Sequence, residues 1–338
     1  GVFTDKPFGD HYSRKWDLNS APSVCHHCSL GCNISYQERY GSVRRVVNRF
    51  HKDINQYFIC DRGRFGHGFA NSDTRLTQIL TQGKASEAKF DHPKLQANLR
   101  EAANLPFYGI GDRSDSLETL YALKSLVGPE RFCPGLTDNE LTLLRQHAQI
   151  LRQVPAPSLA DMESADCIVI LDEDIGNTAP RMALAVRQAL NNKGQEAAAA
   201  LGIANWQDSA VRLLSRSHQV PLSIVANGQH KLDAVATRRL CLDSEQTTLF
   251  LEKLYGHFDH TAPTHLLGEL ETPHQDALTA LVTELSEAKR PLIIAGWQQG
   301  QVSTLVQAAN LHKSLNNPDA MLCLVPQGAN TMAMSALV

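Results

Sequence analysis

Nowhere do eighteen consecutive apolar residues occur in the 338-residue sequence, so no membrane-crossing helix is expected. The opening Gly1-Val2-Phe3-Thr4-Asp5-Lys6 runs into no apolar core, so no signal peptide is expected. It also lacks an initiator methionine and reads as part of a longer or processed chain. Positive charge is not in excess: the net charge is −3, which argues against nucleic-acid binding as the role of the whole chain. No internal repeat stands out. What remains is 43% hydrophobic and 20% charged, the balance of a soluble globular protein long enough for about two domains of ~150 residues.

Four of the eight cysteines are clustered. Cys25, Cys28 and Cys32 share one turn, Cys25-His26-His27-Cys28-Ser29-Leu30-Gly31-Cys32, and Cys60 follows after twenty-seven residues in Cys60-Asp61-Arg62-Gly63. A cubane iron–sulfur cluster needs four thiolates at tetrahedral corners. A tight loop can wrap three of them while a remote segment caps the fourth. Gly31 would let backbone N–H groups come close to the sulfurs. Zinc is the competing occupant, but its usual frame has two paired knuckles, and Cys60 stands alone. A disulfide is a further alternative, disfavoured by three thiols crowding one turn and by the lack of any secretory mark. His26 and His27 could be ligands, but four thiols already close the site, so they read as supporting or exposed side chains. Cys133, Cys167, Cys241 and Cys323 lie among apolar neighbours and read as buried packing thiols suited to a reducing cytosol.

Charge is also unevenly placed. Residues 1–75 carry eleven lysines and arginines against seven acids, a local +4 in a chain of net −3. A tetrathiolate cluster is anionic, so nearby arginines would favour its reduced form, with Arg62 and Arg64 the nearest in sequence. The competing explanation is that these arginines are solvated or ion-paired.

Residues 1–20 read as an irregular arm anchored by Tyr12, Trp16 and Leu18. Two strands, Asn33–Gln37 and Val43–Val47, are expected around a turn at Arg39-Tyr40-Gly41, and Tyr57-Phe58-Ile59 delivers Cys60. Residues 76–105 form a polar connection with helical pattern near Pro93–Asn104. From Pro106 onward, short apolar runs alternate with helical periods. Strands are expected at 107–111, 131–133, 166–171, 222–226, 291–296 and 321–325. The helices between them fall at 116–127, 139–152, 179–190, 196–200, 206–214, 245–255, 273–288 and 303–315. Alternation of this kind predicts a parallel sheet of five or six strands covered on both faces. Gly109-Ile110-Gly111 begins a nucleotide fingerprint, but Ser114 stands where the third glycine belongs, so doubly wound packing is the better explanation. Asp172-Glu173-Asp174 could grip a ribose or a metal, though such acids more often cap the next helix. Trp297 reads as packing.

These motifs resemble the iron–sulfur domain of the molybdopterin oxidoreductases. Within that family the similarity is closest to the large iron–sulfur subunits of bacterial NADH-quinone oxidoreductase, respiratory complex I. It rests on the cysteine frame with Asp61-Arg62-Gly63, on Gly1–Lys6, Tyr12–Asp17, Gly31–Ser35 and Glu38–Gly41, and on Cys60–Gly66, Ala183–Ala189 and Lys289–Ile294.

The resemblance implies an α/β protein in three parts. Residues 1–17 would be a connecting arm and 18–74 a [4Fe-4S] domain of short strands and loops. Residues 75–338 would be a truncated molybdopterin-oxidoreductase-like Rossmann-type domain without molybdenum. It implies that Cys25, Cys28, Cys32 and Cys60 bind one [4Fe-4S] cluster of electron-transfer or structural role. No catalytic residue is implied here, and further 2Fe-2S and 4Fe-4S clusters would lie upstream. The implied partners are the flavin- and NADH-binding subunit and neighbouring iron–sulfur and quinone-module subunits, at the cytoplasmic face of the bacterial inner membrane. The alternatives are a catalytic molybdenum enzyme of the formate dehydrogenase or nitrate reductase type, and a non-redox assembly scaffold. Arg62 stands where catalytic relatives often have Lys, and Arg is not its equivalent. Cys133 sits too early to be a molybdenum ligand.

Overall fold

The computed structural model describes residues 13–76, 107–259 and 270–338, plus isolated backbone positions between 80 and 101. Of the expected helix near Pro93–Asn104 only Pro93, Ala97 and Glu101 are described, each of them helical, and the anchor Tyr12 falls outside the described residues.

The N-terminal region is a three-stranded antiparallel sheet. Strands β1 (Asn19–Val24), β2 (Asn33–Arg39) and β3 (Ser42–Asn48) pair in the order β1-β2-β3. β2 and β3 turn through Tyr40 and Gly41, both with positive φ. β1 was not expected as a strand. Its sequence, Asn-Ser-Ala-Pro-Ser-Val, is polar and mostly exposed, and Pro22 is tolerated because the strand lies at a sheet edge. Trp16 is 76% exposed and does not anchor the arm; the Arg14 guanidinium lies 5.8 Å from its ring centroid. Instead the Asp17 carboxylate ties the arm to Arg39 on β2 at 2.6 Å. A short helix α1 (Asp61–Phe65) follows Cys60.

The remainder is a doubly wound α/β unit. β4 (Gly109–Ile110) pairs in parallel with β5 (Phe132–Cys133), across helix α2 (Leu117–Val127). These two strands were expected in the main sheet but form a separate ladder. Glycine at 109 and 111 serves helix packing: an added Cβ would come 2.9 Å from Leu123 and 2.3 Å from Leu120, both on α2. After α3 (Asp138–Leu151) and α4 (Leu159–Glu163) comes the central strand β6 (Cys167–Leu171). Then follow α5 (Ile175–Thr178), α6 (Pro180–Ala189), α7 (Asn192–Ala200), α8 (Asp208–Ser215), β7 (Leu222–Val225) and β8 (Arg238–Leu240). Helices α9 (Ser244–Phe258) and α10 (Thr272–Glu287) lead to β9 (Pro291–Gly296), α11 (Val302–Ser314) and β10 (Met321–Val325). The main sheet is parallel throughout, in the order β8-β7-β6-β9-β10.

Its central strands are buried along their whole length, which is why they read as continuous apolar runs. Alternate residues feed two cores. Val169, Leu171, Ile293, Ala295 and Leu324 pack with α3, α9 and α11 on one face. Ile168, Ile170, Ile224, Ile294 and Val325 pack with α4 and α6 on the other. Cys167 and Cys323 are buried as expected, but Cys133 and Cys241 are exposed. Strand alternation explains the correction. Phe132 turns toward the core and Cys133 away from it, while Cys241 points outward between buried Leu240 and Leu242. Among the described residues no helix is long and apolar enough to cross a membrane.

Candidate metal centre

The first three cysteines occupy the connection of a hairpin. Val24 pairs with Asn33, so residues 25–32 form the loop between β1 and β2, closed by a hydrogen bond from the Cys25 N–H to the Cys32 carbonyl at 2.8 Å. Gly31 takes φ +64° in that loop, a backbone state that costs a side-chain-bearing residue more than it costs glycine. Backbone N–H groups of His27 and Leu30 point at the sulfurs of Cys25 and Cys28. Sulfur accepts such bonds readily when it carries negative charge.

Cys60 arrives at the N-cap of α1, where its sulfur accepts from the Gly63 N–H at 3.5 Å. The segment that brings it is fastened by Asn55, which is fully buried. The Asn55 carboxamide oxygen accepts from the Asn33 N–H at 2.9 Å, and its NH2 group donates to the Asn48 side chain at 2.7 Å and to the Phe58 carbonyl at 3.3 Å. One side chain therefore joins β2, the end of β3 and the approach to Cys60. Nothing in the sequence around Asn55 marks it as this junction.

All four cysteines line one small cavity with His27, Ile59, Arg62, Gly63, Pro180 and Arg181. A Cβ added to Gly63 would meet the Cys25 sulfur at 3.3 Å and the Cys60 sulfur at 3.9 Å, so glycine there lets the remote ligand close on the local loop. Four cysteine sulfurs around one shared space are the donor set of a thiolate-bound metal group, and a cubane cluster takes one such ligand at each of its four irons.

The thiols are held in an environment that resists bare thiolates. Burial pushes the pKa of Cys25 and Cys28 up, and that of Cys32 to about 12, with the neighbouring cysteines adding to the effect. Cationic compensation is therefore required for four thiolates to coexist, which a bound metal group would supply. Arg62 and Arg181 lower these thiol pKa values in part. Arg62 lines the cavity, whereas Arg64, the other arginine singled out from the sequence, does not. Arg181 belongs to α6 of the α/β unit and was missed altogether. Neither spacing nor composition marks it. The one available signal is its place directly after Pro180 at a helix start.

His27 lines the cavity and packs over Gly66, where a Cβ would come 2.8 Å from its Nε2. Burial lowers its pKa. His26 packs edge-on against Phe69, with centroids 5.1 Å apart. Leu30 packs both against the small N-terminal core and against the α6-side core of the α/β unit, and the Arg62 Nη2 donates to the Asn177 carbonyl at 2.7 Å. The cysteine loop is thus docked onto the N-terminal end of α6.

The other sequence candidates resolve into structure. The sheet order reverses between β6 and β9, where doubly wound proteins hold ligands beyond the strand ends. Here Glu173 fills that position. A Cβ on Gly296 would lie 1.7 Å from its Oε2, which accepts from the Gln298 N–H at 3.2 Å, and Thr178 donates to its Oε1. Desolvation raises the Glu173 pKa to about 7 and that of Asp172 to about 6. Asp174 caps α5, as expected of one of these acids. Trp297 is buried and donates from Nε1 to His147 Nδ1 at 3.2 Å, a packing role. Burial lowers the His147 pKa to about 4, so its ring is a neutral acceptor.

Comparison with known proteins gives this arrangement its relatives. Residues 18–72 match the molybdopterin oxidoreductase Fe4S4 domain family. Over its full length the chain is 37% identical to the G subunit of NADH-quinone oxidoreductase from Pseudomonas fluorescens and 39% identical to its counterpart from Pseudomonas putida. It is 35% identical to the counterpart from Escherichia coli K12. It spans 37%, 37% and 38% of those proteins' lengths, respectively. With a match to the Fe4S4 domain family at its front and 35–39% identity over its whole length, the chain is a homologue of part of the NADH-quinone oxidoreductase G subunits, of whose length it spans rather more than a third.

Proposed function

We propose that this chain is part of an iron–sulfur subunit of an NADH:quinone oxidoreductase and that Cys25, Cys28, Cys32 and Cys60 hold one [4Fe-4S] cluster. The single observation behind this reading is the convergence of four cysteines on one cavity within an Fe4S4-family domain. When bound, such a cluster supplies a one-electron couple and four cross-links between the hairpin loop and the segment before α1. The protein's own part is to aim N–H groups at the sulfurs, exclude water through Ile59 and Leu30, and offset charge through Arg62. Residues 1–17 serve as an arm, 18–74 as the cluster domain and 75–338 as a molybdopterin-oxidoreductase-like domain without molybdenum, its crevice taken by Glu173. The partners in this reading are the other peripheral-arm subunits, on the cytoplasmic face of the inner membrane.

The cluster's role is structural, because the cluster region has almost no apolar core of its own. Cys60→Ala in the full-length protein tests this. The expected result is less assembled complex in membranes, with NADH-to-quinone flux per assembled complex unchanged. A drop in flux per assembled complex would make the cluster an electron carrier instead.

A further inference from the structure

Arg181 presents an unusual combination. It is only 4% exposed, and its Nε and Nη1 are shielded from solvent without a hydrogen-bond acceptor among the described residues. A buried guanidinium with unmet donors is costly unless an anion lies within reach. No carboxylate lines the cavity it faces; the four cysteines do. Its positive charge acts on Cys32, and its guanidinium carbon lies 5.2 Å from the Phe58 ring centroid, which holds the fork beside the segment leading to Cys60. Pro180 and Arg181 open the ten-residue helix α6, so the positive end of that helix faces the same cavity. Arg62, the other arginine at the cavity, already spends Nη2 on the Asn177 carbonyl.

We infer that Arg181 is the α/β unit's electrostatic contact with the cluster: its free N–H groups donate to cluster or cysteine sulfur, holding the cluster domain against α6 and favouring the more negative, reduced state. The inference rests on the proposed four-cysteine site. It makes Arg181 a positioning residue and predicts that the cluster's potential depends on a side chain more than one hundred residues away in sequence. A planar, permanently charged fork with several donors suits several sulfurs at once, and a lysine can supply only the charge.

The test uses the full chain purified without oxygen, as wild type, Arg181→Lys and Arg181→Met. Iron content, the midpoint potential from an EPR-monitored redox titration, and the rate of iron release to a chelator are read for each. The expected result is that Arg181→Met shifts the oxidised-to-reduced ratio at fixed poise about tenfold toward oxidised, ~59 mV for a one-electron couple. Iron release should quicken several-fold in the same variant, and Arg181→Lys should recover most of the potential but less of the iron retention. An unchanged potential in an iron-loaded Arg181→Met protein would overturn the inference. So would equal loss of iron from both variants, since packing rather than charge would then be what matters. Absence of iron from the wild type would instead overturn the four-cysteine site itself, which keeps the two failures distinct.

Discussion

The two regions of this molecule are held together by different means. The α/β unit buries two extensive apolar layers, one on each face of a five-stranded sheet. In the cluster region the buried apolar set among the described residues is Cys25, Cys32, Ile34 and Val46, and two of those are proposed ligands. A region of that size with so small a core depends on a metal site, polar cross-links or a neighbour for its stability. It has all three: the cysteine site, Asn55, and docking through Leu30, Arg62 and Arg181. The lesson is that one chain can carry a region with a large apolar core beside one with very little, joined by a few side chains.

The sharpest way to break that comparison is to remove the metal. Chelation of iron, or Cys60→Ala, is expected to strip hydrogen-exchange protection from residues 18–72 while β6, β7, β9 and β10 stay protected. Structural metal sites contribute on the order of 10 kcal/mol to small domains, well above what this core can replace. Retained protection in the iron-free hairpin would show that the region folds unaided.

Next in size is Asn55→Ala. It leaves the Asn33 N–H without its buried partner and frees the approach to Cys60. A loss of about 2–4 kcal/mol is expected, confined to the cluster region and read as reduced iron retention and a lower first unfolding transition.

Glu173→Gln probes the other side of the comparison. The folded-state pKa of Glu173 is raised to about 7 from an unfolded value of 4.5. Its favourable contribution is therefore complete below pH ~4.5 and is lost as pH rises through about 7, because burying the ionised form is penalised. The glutamine variant should gain about 1–3 kcal/mol over wild type at pH 8 and little at pH 5, seen as a pH-dependent difference in the melting of the α/β unit. An equal difference at both pH values would show that Glu173 is not ionising in its crevice. The smallest effect is expected for Gly31→Ala, where a positive φ costs about 1 kcal/mol, measured as a modest fall in the stability of the cluster region alone.

Much of the α/β unit was readable because strands buried on both faces must be apolar throughout, as in Cys167–Leu171 and Pro291–Gly296. β8, Arg238-Arg239-Leu240, escaped notice because its two arginines are half-buried through ion pairs with Glu284 and Asp233 and the strand is too short to show a period. The exposure of Cys133 and Cys241 was misjudged for a related reason: apolar neighbours in sequence say little about which face of a strand one residue takes. At the metal centre, covalent chemistry fixes the spacing of ligands, so the four cysteines could be picked out directly. Asn55 and Arg181 could not. Their importance comes from what the fold brings near them, a hydrogen-bond junction in one case and a sulfur-lined cavity in the other.

Iron and acid-labile sulfide, counted per chain after anaerobic purification of the 338-residue protein, test the four-cysteine assignment most directly. The account predicts about four of each in the wild type, by the stoichiometry of a cubane, and neither in Cys60→Ala. A folded wild-type protein that carries zinc in place of iron, or keeps its hairpin with no metal at all, would contradict it.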